Sequence, residues 1–419
     1  MAFIRGLVCR ECGVQSDEIP VATCDRCLGP LDVVYDWDAI RRRLSRSTIE
    51  QGPPSMWRYQ ALLPVDPTDS IGDRTGWTPL WLARRLGEAL GHPRVFVKND
   101  GANHPTLSFK DRVVATSLAW ARRRGIGVVG CASTGNLAHS VAAQAARHGF
   151  RAVIFIPADL EVGKVVATAV HHPTLITVDG HYDHVNRLCY ELAEAYGWGM
   201  VNINLRAYYG EGSKTVGYEI VEQMGWQIPD HVIVPMAGGS LITKIHQAFQ
   251  EFIRLGLVED KPYRMHGAQA EGCGPIVHAF QQGADVITPE RPHTIVRSLA
   301  IGNPADGRYA LRTIRQTGGQ GVAVSDDEVR EGIRLLAETE GIFTEPAGGV
   351  VVAATARLIR EGYILPDESV VLAITGHGLK TLEAVTDGRP QVYGPIRPNL
   401  DAFRALWDRI AGLVTPVMA

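Results

Sequence analysis

One lysine in this chain stands where an amine nucleophile would be useful. It lies in Thr106-Leu107-Ser108-Phe109-Lys110-Asp111-Arg112. Ser108 is a favourable N-cap type, and residues 113–124 carry apolar side chains at helical spacing, so Lys110 is expected at the mouth of a helix. The positive end of the macrodipole there disfavours an ammonium, and the neutral amine is the form that attacks an aldehyde. Taken alone, the string reads first as a surface lysine beside an aspartate. Loops further along give it another meaning.

Three of them fall where an apolar strand run gives way to a helix. Ala132-Ser133-Thr134-Gly135-Asn136 supplies two hydroxyls and an amide at a helix start, a site for an anion or a phenolate oxygen. Val234-Pro235-Met236-Ala237-Gly238-Gly239-Ser240-Leu241 is a strand, a small-residue turn and a helix, whose backbone amides can converge on a phosphate. It has neither the Lys-Ser/Thr of a P-loop nor a G-x-G-x-x-G pattern. Ala373-Ile374-Thr375-Gly376-His377-Gly378-Leu379-Lys380 places a neutral hydroxyl, Thr375, at a strand end. His377 reads as a structural loop histidine before it reads as a base. An imine-forming lysine, a phosphate cup, and an Asn and a Thr at strand ends together describe a site for pyridoxal phosphate.

Such loops need a scaffold. Strands are predicted at 94–98, 127–131, 152–157, 175–178, 232–235, 265–268 and 370–374. Helices are predicted at 37–46, 137–148, 162–171, 182–196, 212–224, 241–255 and 327–340, with a Pro-rich connection around Pro53-Pro54, Pro64 and Pro67. Apolar strands with helical crossovers mean an α/β fold with parallel sheets covered on both faces, and ligands then collect beyond the strands' carboxyl ends. The length of 419 residues predicts two or three domains, and 45% hydrophobic with 21% charged residues is ordinary globular material. A net charge of -3 gives no general attraction to nucleic acid or anionic lipid. Arg41-Arg42-Arg43 with Arg46 reads as the solvated face of a helix. The start lacks a secretory leader pattern, and no run of about eighteen apolar residues occurs, so a cytoplasmic protein without membrane partners is expected.

Of the seven cysteines, Cys131, Cys189 and Cys273 are isolated in apolar or periodic segments and read as buried thiols. Cys9-x-x-Cys12 and Cys24-x-x-Cys27 form two knuckles whose spacing suits tetrahedral zinc, over a spacer shorter than usual. A structural zinc ribbon is expected there. The acidic balance argues against reading it as a nucleic-acid module.

Taken together these strings resemble threonine synthase, within the tryptophan-synthase-β-like (fold type II) pyridoxal phosphate enzymes. The match runs through the cysteine ribbon with Gly29-Pro30-Leu31 and Tyr35-Asp36, Trp77-Thr78-Pro79-Leu80, Pro105 to Arg112, and Ala132 to Asn136. It continues through Glu211-Gly212-Ser213-Lys214-Thr215, Val234 to Leu241, Thr344-Glu345-Pro346-Ala347-Gly348, and Thr375 to Lys380. The resemblance implies two parallel-sheet domains with a zinc-ribbon-like appendage. The expected layout is residues 1–35 for the ribbon, 36–105 and 200–395 for a large cofactor-binding domain, 106–199 for a small domain, and 396–419 for a tail. It also implies a homodimer, and a reaction that turns O-phospho-L-homoserine and water into L-threonine and phosphate.

By the same resemblance Lys110 holds the cofactor as a Schiff base and shuttles protons. Asn136 bonds the pyridine ring's phenolate oxygen, Ala237, Gly238, Gly239, Ser240 and Leu241 cradle the cofactor phosphate, and Thr375 meets the ring nitrogen. A neutral hydroxyl does not protonate the ring as a carboxylate would, which favours elimination and replacement over transamination. Ser133 and Thr134 bind the substrate's carboxylate or phosphate.

Two departures stand out. The family's phosphate cup is richer in Gly and Asn, but Ala237, Ser240 and Leu241 keep their backbone amides. Before Glu211-Gly212 the family places an arginine that grips the substrate phosphate. Here that position is Tyr209, and Arg206, three residues earlier, is the candidate replacement. Losing a bidentate guanidinium weakens recognition of a phosphoryl group. An alternative reading is therefore a paralogue that eliminates or replaces on another activated amino acid such as phosphoserine, as a cysteate synthase does. A scaffold-retaining binding protein is a third reading, and such a protein has no need of an imine-forming lysine.

Overall fold

The computed structural model describes residues 3–133, 135–157, 162–179, 182–385 and 392–410. Among these the strands are β1 (Ile4–Cys9), β2 (Gln15–Ser16), β3 (Leu31–Tyr35), β4 (Leu80–Leu82), β5 (Val95–Asn99), β6 (Val128–Ala132) and β7 (Arg151–Pro157). The series continues with β8 (Thr174–Val178), β9 (Gly199–Met200), β10 (His231–Pro235), β11 (Arg264–Ala270), β12 (Gly321–Val324) and β13 (Val370–Ile374). They build three sheets. An antiparallel ribbon has the order β2-β1-β3, with Cys9 opposite Leu31. A six-stranded sheet has the order β12-β11-β10-β13-β5-β4, parallel except for the edge pair β4/β5. A four-stranded parallel sheet has the order β8-β7-β6-β9.

The central strands β10 and β13 are buried at every residue, as strands covered on both faces must be. Residues Met1–Ala384 form one compact unit, and Val385–Ala419 form another that contains the helix Leu400–Ile410. No helix among the described residues is long and apolar enough to cross a membrane.

The sequence misplaced some elements for physical reasons. The predicted helix 37–46 is two short helices, Trp37–Arg41 and Arg46–Glu50, because Ser45 caps the second in a capping box with Thr48. The helix predicted from residue 212 begins at Arg206 and is buried nearly all round, so it shows no amphipathic period. Its Gly212 looks like a breaker but is a contact point: a Cβ there would lie 2.4 Å from the Arg112 carbonyl oxygen. That close approach packs the helix Arg206–Gln223 against the helix Lys110–Arg123. The helix Pro346–Arg360 was not read at all, since its Val350-Val351-Val352 run is as strand-like as it is helical.

Candidate active site

The Lys110 loop is an addition to the end of β13. The amide of Phe109 donates to the Thr375 carbonyl at 2.9 Å, and Ser108 pairs with Gly376 in an antiparallel bridge. Ser108 is therefore committed to the bridge, and the helix begins at Lys110 with Phe109 as its N-cap, without a capping side chain. This corrects the capping role expected of Ser108. Its buried hydroxyl has no hydrogen-bond partner.

Two neighbours lock this start. Asp111 accepts from the Thr106 amide at 2.9 Å, the Thr106 hydroxyl at 2.7 Å and the Ser140 hydroxyl at 2.6 Å, which ties the lysine's helix to the helix Asn136–His148. Burial raises the Asp111 pKa against those hydrogen bonds. Arg112 is fully buried. Its guanidinium bonds Asp100 at 2.7 and 2.9 Å and Glu219 at 2.8 Å, and Lys98 completes the cluster at 2.6 Å from Glu219. Two cations and two carboxylates thus balance beneath the lysine.

The three loops read from the sequence lie at the carboxyl ends of β6, β10 and β13. After β6, the Ser133 hydroxyl accepts from the amides of Gly135 at 3.3 Å and Ala138 at 3.2 Å, so it caps the helix start. Thr134 lies outside the described residues. Asn136 and Thr375 converge on one carboxylate that the sequence reading quoted but did not assign. Glu345 accepts from the Asn136 amide at 2.8 Å and from the Thr375 hydroxyl at 3.4 Å. Lys380 donates to the Asn136 side-chain oxygen at 3.0 Å and to the Thr106 carbonyl. Burial lowers the Lys380 pKa, with Glu345 and Asp111 opposing. The Nδ1 of His377 accepts from the Leu379 amide at 3.2 Å, so the ring shapes its own loop. Beside Pro346 and Thr381 opens a cavity of about 420 Å³, which Lys164, Arg297 and Ser298 also line.

After β10, Ala237, Gly238 and Ser240 are half-buried at the end of an otherwise buried strand. Gly239 has φ +92°, and a Cβ there would lie 2.9 Å from the Asp306 carbonyl oxygen. Gly239 caps the helix Ser240–Arg254 without a side chain, which leaves first-turn amides for an outside acceptor. Nothing lies within 4 Å of a Cβ built at Gly238. The residues fit a phosphate, and an amine, an amide and a neutral hydroxyl nearby fit the rest of a pyridoxal group.

Arg206 and Tyr209 take different partners. The Arg206 guanidinium bonds Asp306 at 2.6 Å, and Asp306 also meets Arg10 at 3.4 Å. Tyr209 is the residue that reaches the lysine: Lys110 Nζ donates to its hydroxyl at 2.7 Å. The sequence had flagged Tyr209 only as a missing arginine.

In the ribbon, Cys9 and Cys27 sulfurs are 3.4 Å apart, Cys12 and Cys24 are 3.7 Å apart, and all four lie within 4.8 Å of one another. Tetrahedral zinc at about 2.3 Å per bond separates its sulfurs by about 3.8 Å, so the cluster fits one ion. Cys131, Cys189 and Cys273 are buried free thiols, as expected.

This fold and site define an enzyme built for pyridoxal phosphate. The sequence profile of the pyridoxal-phosphate dependent enzyme family matches residues 71–376. A threonine synthase of Methanosarcina acetivorans is 37% identical over 404 residues, 95% of this chain and 97% of that protein. A threonine synthase of Methanocaldococcus jannaschii is 38% identical over 381 residues, 90% and 93% of the two chains. Threonine deaminase isoform 2 of Solanum lycopersicum shares the fold, with a TM-score of 0.64 and 21% identity over 80% of this chain and 89% of that one. The chain belongs to the pyridoxal-phosphate dependent enzymes and, within them, to the threonine synthase family.

Proposed function

We propose that this enzyme converts O-phospho-L-homoserine and water to L-threonine and phosphate. The observation that carries the reading is the match to the Methanosarcina acetivorans threonine synthase across 95% of the chain. Pyridoxal phosphate, when bound, supplies the electron sink that makes the substrate's α- and β-hydrogens acidic. Lys110 would carry it and move protons, and the amides of Ala237, Gly238, Gly239, Ser240 and Leu241 would hold its phosphate. Asn136, whose amide already donates to a side-chain oxygen of Glu345, would donate to the ring's phenolate oxygen, and Thr375 would meet the ring nitrogen.

Ser133 and Thr134 remain the candidates for the substrate's carboxylate or phosphate. Arg206 lies one helical turn from Tyr209 and is the candidate for the phosphoryl group, sharing its charge with Asp306. Zinc on Cys9, Cys12, Cys24 and Cys27, a large and a small domain divided at residues 106–199, a homodimer and a cytoplasmic setting complete the proposal.

The test is incubation of the holoenzyme with O-phosphohomoserine. Threonine and phosphate should appear together in equal amounts, and phosphate with a keto acid, or no turnover, would refute the assignment. Tyr209 at the arginine position favours one second reading, replacement on phosphoserine. Turnover of phosphoserine with sulfite in place of phosphohomoserine would select it.

A further inference from the structure

Among the described residues, the one hydrogen-bond partner of Lys110 Nζ is the Tyr209 hydroxyl, at 2.7 Å. The amine also lies 4.4 Å from the Phe109 ring centroid and 5.4 Å from that of Tyr209, and no carboxylate there pairs with it. This contact is built rather than incidental. Tyr209 is in the first turn of its helix, one turn before Gly212, and Gly212 sets how closely that helix approaches the backbone of Arg112. Arg112 is two residues from the lysine and anchored on both sides, by Asp100 and by Glu219. Neither helix can drift without breaking the other's hydrogen bonds.

We propose that Tyr209 is a second catalytic residue: its phenol holds the Lys110 amine whenever that amine is not bonded to the cofactor, and exchanges a proton with it. The proposal rests on the role given to Lys110 above. The neutral amine takes a proton from a substrate carbon, and the C–H electron pair stays on that carbon. As the C–O bond to the phosphate breaks with its electron pair going to oxygen, the phenol's own hydrogen moves to that phosphate oxygen, and in concert the ammonium passes a proton across the 2.7 Å contact to the phenol oxygen. Lysine and tyrosine both return neutral, and the carbon's proton ends on the released phosphate.

The experiment compares wild type, Tyr209→Phe, and a protein with 3-fluorotyrosine at 209, whose more acidic phenol keeps the ring's shape. Two readouts are followed against pH: steady-state turnover of phosphohomoserine, and the rate at which the apo-protein forms its Schiff base with added pyridoxal phosphate. Tyr209→Phe should lower kcat about 100-fold with KM changed less than about twofold, and should shift the pH midpoint of Schiff-base formation. The fluorinated protein should move both pH profiles to lower pH. Unchanged kcat and pH profiles would overturn the proposal. So would a raised KM with kcat intact, which would make Tyr209 a substrate-binding residue. The Schiff-base rate needs no turnover, so it separates failure of this idea from failure of the substrate assignment.

Discussion

The sharpest structural prediction concerns Glu219. Its carboxylate accepts from Lys98 at 2.6 Å, from Arg112 at 2.8 Å, and from the amides of Trp77 at 2.7 Å and Thr78 at 3.2 Å, with no solvent exposure. Arg112 and Glu219 hold each other charged, and the Glu219 pKa is down to about 2 because both cations outweigh the burial that raises it. Glu219→Gln keeps the shape and removes one negative charge, so Lys98 and Arg112 face Asp100 alone. Uncompensating a buried ion pair costs about 3–5 kcal/mol, a large part of a typical stability of about 5–15 kcal/mol.

The loss carries a pH signature. Burial already lowers the Lys98 pKa, and Glu219 is the strongest charge opposing it. Without it the folded-state lysine loses its proton well below the unfolded value of about 10.4. Between those values the unfolded chain binds more protons, so the variant's stability rises with pH. From pH 7 to pH 9 the variant should regain up to about 2.7 kcal/mol relative to wild type. Urea unfolding at both pH values measures this. A loss under about 1 kcal/mol, or an equal loss at both pH values, would show that the cluster does not depend on charge balance.

Further outcomes are open to direct measurement. Lys110→Ala should leave purified protein without the yellow colour that borohydride fixes covalently in wild type; mass-tagged peptide elsewhere would exclude Lys110 as the attachment point. Arg206→Ala should raise KM for phosphohomoserine several-fold with kcat little changed, and an unchanged KM would remove it from the phosphoryl site. Metal analysis should find about one zinc per chain, bound by four thiolates, and chelation should lower the melting temperature. His266 accepts from the Gln320 amide through Nδ1 at 3.1 Å, so its Nε2 donates to His231, 2.9 Å away. Burial, with His231 and Arg264 adding to it, holds the His266 pKa down at about 3. The unfolded histidine takes up a proton near pH 6.5, so stability should fall by about 1.4 kcal/mol per pH unit below that, until about pH 3. His266→Gln should flatten that acid limb in pH-dependent unfolding, and an unaltered limb would refute the link.

Local patterns made much of this protein legible. Residues 370–374 and 182–196 gave their strand and helix directly, since periodicity and length leave little else for such runs. The four ribbon cysteines were identifiable because CxxC spacing fixes geometry within each knuckle. Lys110, Asn136, the turn at Ala237 to Leu241 and Thr375 stood out because strand-to-helix junctions collect ligand-binding groups wherever they occur. What spacing could not carry was which side chains meet across the chain. Glu345 comes between Asn136 and Thr375 only because the helix start after β6, in the four-stranded sheet, meets the end of β13, in the six-stranded sheet, at the start of the helix Pro346–Arg360. Ser108 had a capping residue's chemistry and lost that role to a bridge with Gly376, 268 positions away by subtraction.

The sequence by itself pointed to the class of chemistry, because a lysine at a helix mouth and a small-residue turn between strand and helix are local strings. The tertiary structure decided the partner of that lysine. From the sequence, Tyr209 was only an arginine that was not there. The 2.7 Å contact with Lys110 follows from two buried helices held close at Gly212, a distance that no pattern along one chain encodes.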